Sequence, residues 1–135
     1  MPYQNVIIPT PIIDARQALL CARLNLHSAR RLLQKGSLRR GISTLYDSVL
    51  FGIMYYVTRY EGCPGVDLGD ATAIFHLLTY AGVFEDQQAF HRLSLTVERF
   101  LWQGPDAFNA NAILVEVEDM LRQLGVMSLQ KHDEQ

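Results

Sequence analysis

Arg16, Arg23 and Arg30 recur every seven residues, a spacing that lines three guanidinium groups along one side of a helix. His27 and Arg31 stand beside that line, and Lys35, Arg39 and Arg40 follow it. A guanidinium presents a rigid fork of donors that suits phosphate or carboxylate. Arg39 and Arg40 fall in the first turn of a helix starting near Ser37, where free backbone N–H groups add to the forks. This ridge of Arg16, Arg23, Arg30, Arg31, Arg39 and Arg40 is therefore a candidate site for an anion or an acidic partner. It has a second reading, as a solvated face paired across the fold with acids such as Glu116, Glu118 and Asp119. The ridge lacks the interleaved aromatics of a single-strand stacking platform.

Other chemistries find less support. The four histidines, His27, His76, His91 and His132, form no HExxH or Glu-x-x-His pattern with the carboxylates, so neither a metal nor a cofactor is expected. There is no GxSxG elbow and no glycine-rich phosphate loop. Cys21 and Cys63 are far apart, with no adjacent base, and read as ordinary thiols of a reducing compartment. His76 lies among Phe75, Leu77 and Leu78 and reads as a core histidine. Phe51, Tyr55 and Trp102 are candidates to face a partner or to join the core.

The elements that must position these residues are helices. The chain has 135 residues, 49% of them hydrophobic, enough for one domain with a packed core. The net charge of −2 hides an asymmetry: residues 1–40 carry +6 and residues 41–135 carry −8. Such a split suits internal pairing, an anionic partner or head-to-tail association. No signal-peptide pattern opens the chain, and the apolar run from Val49 to Val57 is too short to span a bilayer, so a cytoplasmic protein off the membrane is expected.

Residues 1–13, with Pro9 and Pro11 among β-branched residues, predict an extended arm. From Asp14 the period is helical. Ala15, Leu19, Ala22, Leu26, Ala29 and Leu33 form a heptad seam ending at Gly36, and Ser37 predicts the cap of a second helix folded back as a hairpin. That helix has an apolar arc of about half its circumference, wider than a surface helix needs. Gly41, Ser48 and Gly52 form a small-residue groove suited to close approach, with Phe51 and Tyr55 on the otherwise polar side as a candidate dimer interface. Further helices are predicted over 70–81, from Asp86 to about Trp102, and from Asp106 to Leu124. The expected fold is all-α, an up-and-down bundle of about five helices over 14–125, with a flexible tail over 126–135.

With those elements in place, "ARLNLHSARRLLQKGSLRRGISTLYDSVLFGIMYYV" (22–57) resembles the opening of HEPN domains (higher eukaryote and prokaryote nucleotide-binding). Ala29, Leu32, Leu33, Gly36, Gly41, Leu45 and Tyr46 stand where that family has its Ala/Leu helix, glycine turn and Tyr-centred second helix. "FHLLTYAGVF" (75–84) is similar to its third helix and "RFLWQGPDAFNANAILVEVEDMLRQL" (99–124) to its last two. Ribonuclease members carry Arg-x(4–6)-His; after Arg99 the positions for the histidine hold Gly104, Pro105 and Asp106. The resemblance therefore implies a non-enzymatic HEPN-like module. Such a module is a homodimer or a partner or regulatory subunit, for instance of a small nucleotidyltransferase in a toxin–antitoxin type system, with nucleotide, RNA or anion as further ligands. The alternatives are a degenerate RNA-processing or nucleotide-handling enzyme and a purely structural homodimer.

Overall fold

Asp14 opens α1 (Ala15–Gln34) with a reciprocal capping box: its carboxylate accepts from the Gln17 backbone N–H at 2.8 Å, and Gln17 Oε1 accepts from the Asp14 N–H at 3.1 Å. The computed structural model describes residues 14–58, 82, 88–103 and 109–127. At the far end of α1, Gly36 takes a φ of +83°, which a side chain would resist. Its N–H donates to the Leu33 carbonyl and the Ser37 N–H to that of Leu32, the paired bonds of a Schellman ending. The chain then turns directly into α2 (Leu38–Tyr56), which gives the expected hairpin. Ser37 stands at the N-cap of α2 and its carbonyl accepts from the Gly41 N–H, but the expected hydroxyl cap is not made.

Two further helices are described, α3 (Ala89–Gln103) and α4 (Ala110–Gln123). Asn109 caps α4, its side chain accepting from the N–H groups of Asn111 and Ala112 at 3.0 and 3.2 Å. Among the described residues the chain is an all-α helical bundle of four helices with no strand. Arg39 meets Leu101 and Tyr46 meets Phe90, so α3 runs antiparallel to α2. Arg23 meets Val126 and Arg30 meets Glu118, so α4 runs antiparallel to α1. The described helices therefore alternate in direction. The arm over 1–13, the helix expected over 70–81 with His76, Cys63 and residues 128–135 lie outside the described residues.

α2 is the central element, packed against α1, α3 and α4. Ile42, Leu45, Val49 and Ile53 are its fully buried line. Toward α1 it meets Ala18, Ala22, Leu26 and Ala29, so the contact line is shifted from the expected seam: Ala18 is fully buried while Ala15 and Leu19 lie at its edge. Three alanines on that line let the two helices approach closely. Gly41 is part of the same fit, for a Cβ there would sit 2.6 Å from Leu33 Cδ2. Gly52 does this toward α4, where a Cβ would lie 3.0 Å from Leu121 Cδ2 and 3.1 Å from Leu124 Cδ1. In α4 the inward set is Ile113, Val117, Met120 and Leu121, with Ala110 and Leu114 half-buried.

Two expectations are corrected here. Tyr55 is not on a polar side: only 4% of it is exposed, and Phe51 is half-buried against the same core. The core also continues past Gly125, because a second Schellman ending folds the chain back. Gly125 (φ +82°) donates to Arg122 and Val126 to Leu121, which places Val126 fully inside and Met127 nearly so. Residues 126 and 127 thus belong to the bundle. Among the described residues no helix is long and apolar enough to cross a membrane.

Candidate functional site

The arginine ridge divides once its partners are seen. Arg30 donates from Nε and Nη2 to Glu118 Oε2 at 3.0 and 2.6 Å, joining α1 to α4. Arg23 Nε donates to the Val126 carbonyl at 3.0 Å and so holds the turned-back end of α4. Arg39 Nη1 donates to the Leu101 carbonyl at 3.0 Å, one of the orphan acceptors at the end of α3. Those three fasten helices together. Arg16, Arg31 and Arg40 are exposed, and their guanidinium groups make no hydrogen bond or ion pair among the described residues. Of the acids expected to pair with the ridge, only Glu118 does so; Glu116 faces Arg92 at 3.5 Å and Asp119 accepts from Gln123 at 2.7 Å.

The exposed half of the ridge also carries apolar side chains that its spacing did not suggest. Leu20 and Leu24 are 57% and 55% exposed and lie between Arg16 and Arg31 along the outward side of α1. His27 is exposed on the same stripe. No acidic residue occurs in α1.

On the other side of α2 an open cleft of about 420 Å³ runs along its seam with α3. Ser43, Tyr46 and Asp47 line it from α2; Ser94, Val97, Glu98, Leu101 and Trp102 line it from α3. Tyr46 stacks on Phe90 with ring centroids 6.1 Å apart, and its hydroxyl lies 3.3 Å from Ser94 Oγ. This aromatic pair packs between the two helices beside the cleft. Both charged residues of the lining are carboxylates. Asp47 is exposed as a residue, yet partial burial of its carboxyl raises its pKa above the ordinary value. At the lip, Trp102 is 82% and Leu101 40% exposed.

The sequence reading raised Trp102 as a partner-facing candidate but missed the cleft. A signal was present: Ser43-x3-Asp47 and Ser94-x3-Glu98 repeat one pattern on two helices. Four-residue spacing puts each serine and its acid on one face. Which faces meet is a tertiary fact. Arg99 is exposed on α3, and no group of three or more metal-ligating side chains occurs among the described residues. Cys21 is a half-buried free thiol.

Comparison with protein-family models, with curated proteins and with solved structures found no match to this chain.

Proposed function

We propose that the chain is a non-enzymatic helical docking module, acting as a partner or regulatory subunit. The observation that carries this reading is the pair of exposed mixed surfaces. Leu20 and Leu24 sit among cations on α1, and Leu101 and Trp102 sit beside carboxylates at the α2–α3 cleft. Exposed Trp and Leu flanked by charge is the composition of an interface, in which aromatic anchors supply affinity and the charges supply register and selectivity. The HEPN resemblance supports the same reading, and it names the partner class as a small nucleotidyltransferase-like protein of a toxin–antitoxin type system. A nucleotide or other anion would find Arg31 and Arg40 available for it.

Co-expression with the protein encoded by the adjacent gene tests this. A complex should survive size-exclusion chromatography and be lost in either Trp102→Ala or Leu20→Ser/Leu24→Ser. The chain alone should leave structured and single-stranded RNA intact, with or without divalent metal. RNA cleavage that disappears in Arg99→Ala would overturn the reading in favour of an enzyme.

A further inference from the structure

The two mixed surfaces are complementary to each other. The outward stripe of α1 is cationic, with Arg16 and Arg31 flanking Leu20, Leu24 and His27. The cleft lining is acidic, with Asp47 and Glu98 as its charged residues beside the exposed Trp102 and Leu101, while Arg39 at the Leu101 end is committed to the Leu101 carbonyl. The apolar middle of the stripe fits in length as well: Leu20 to His27 covers roughly 10 Å of helix against roughly 12 Å from Ser94 to Trp102, at about 1.5 Å per residue, and Arg16 and Arg31 stand one turn beyond either end.

We propose that the cleft receives the α1 stripe of a second copy of the chain. In this pairing Leu20 and Leu24 cover Leu101 and the face of Trp102. The flanking guanidinium groups meet Asp47 and Glu98, and one of them stacks on the indole as a cation–π contact. Charge also selects against the simpler self-pairings. Two α1 stripes face to face would juxtapose arginines, and two clefts would juxtapose carboxylates, so each surface repels its own kind and accepts the other. The contact is therefore heterologous, closing as a reciprocal pair or a ring, or running on as a chain of copies. Tyr55, expected at a dimer interface, is buried inside the chain and takes no part. The inference rests on the reading of the chain as a docking module and names one occupant of its cleft.

Mixing two defective variants tests it. Leu20→Glu/Leu24→Glu spoils only the stripe, and Glu98→Lys/Trp102→Lys spoils only the cleft; these side chains are exposed, so circular dichroism should show both variants folded. Wild-type chain should associate at micromolar concentration by light scattering, about tenfold more weakly in high salt as exposed charges are screened. Each variant alone should run at the 15.3 kDa of the single chain. An equimolar mixture should recover a one-to-one complex, because an intact cleft then meets an intact stripe. A shape-preserving pair, Arg16→Gln/Arg31→Gln against Asp47→Asn/Glu98→Gln, should repeat the pattern more weakly. A monomeric wild type, variants that associate as well as wild type, or a mixture that stays monomeric would each overturn the proposal. If the chain proves monomeric yet Trp102→Ala still abolishes the complex with the neighbouring gene product, the self-docking fails and the docking module stands. Loss of both would remove both.

Discussion

The two flanks of α2 are built from different materials. Toward α1 the buried line is mostly alanine, and toward α1 and α4 alike the glycines of α2 are tightly covered: a Cβ would lie 2.6 Å from Leu33 at Gly41 and 3.0 Å from Leu121 at Gly52. Toward α3 the stacked rings of Tyr46 and Phe90 stand between the helices, and a cleft of about 420 Å³ stays open beside them. The arginines follow the same division. Arg23 and Arg30 are committed across the closed flank, while Arg16 and Arg31 face outward. A close-packed flank yields stability and leaves nothing to bind; an open flank gives up burial and gains a surface. The wide apolar arc of α2 serves the closed side and the ring pair together.

The largest expected effect is on the closed flank. Gly52→Val would drive two methyl groups into Leu121, Leu124 and Val126, at positions where even a Cβ is within 3.0–3.2 Å of them. It should destabilise the fold by about 3 kcal/mol, the upper part of the usual overpacking range, measured by urea denaturation. A cost below about 1 kcal/mol would mean that this flank is loose and the contrast mistaken.

A smaller effect separates the committed arginines from the free ones. A double-mutant cycle of Arg30→Met and Glu118→Gln should return a coupling of about 1 kcal/mol, since the pair is bidentate at the donor but partly solvated. Arg40→Gln should instead leave stability unchanged or raise it by a few tenths, roughly, by removing a cation from the positive end of α2. Equal costs at Arg30 and Arg40 would erase the division of the ridge.

The smallest effect concerns the open flank and pH. The folded-state pKa of Asp47 is raised by desolvation, so its ionisation opposes folding. The penalty is fully present above that raised pKa and vanishes once pH falls below the unfolded value. Asp47→Asn should therefore melt slightly higher than wild type at neutral pH, with the gap closing on acidification. A gap that widens on acidification would show Asp47 to be held by a cation instead.

Helices and hairpin could be read from spacing because their causes are local. Asp14 and Gln17 lie one turn apart, and Gly36 fixes its own turn, so three or four residues contain the whole signal. The registers were harder. The heptad that begins at Ala15 and Leu19 and the line that begins at Ala18 share Ala22, Leu26 and Ala29, and only the position of α2 selects the second. The ridge shows the limit most plainly. Spacing put Arg23 and Arg30 on one side of α1, but Glu118 and the Val126 carbonyl, which decide what those arginines do, come from the other end of the chain. The cleft was hidden for the same reason, since its two serine–acid pairs gain meaning only when α3 lies against α2.

The turned-back end of α4 bears on the entropy of the chain. The hairpin of α1 and α2 begins from contacts close in sequence, such as Leu33 on Gly41, and each further contact toward the open end enlarges the loop only by a turn or two. The bond from Arg23 to Val126 joins residues 103 apart. Closing a loop that long costs conformational freedom, though the cost grows only as the logarithm of its length. Little of it can be recovered until α2 already holds α1 and α4 side by side. The bond is thus a late and dependent one: it forms once both of its ends are positioned, and it adds nothing to the α1–α2 hairpin alone.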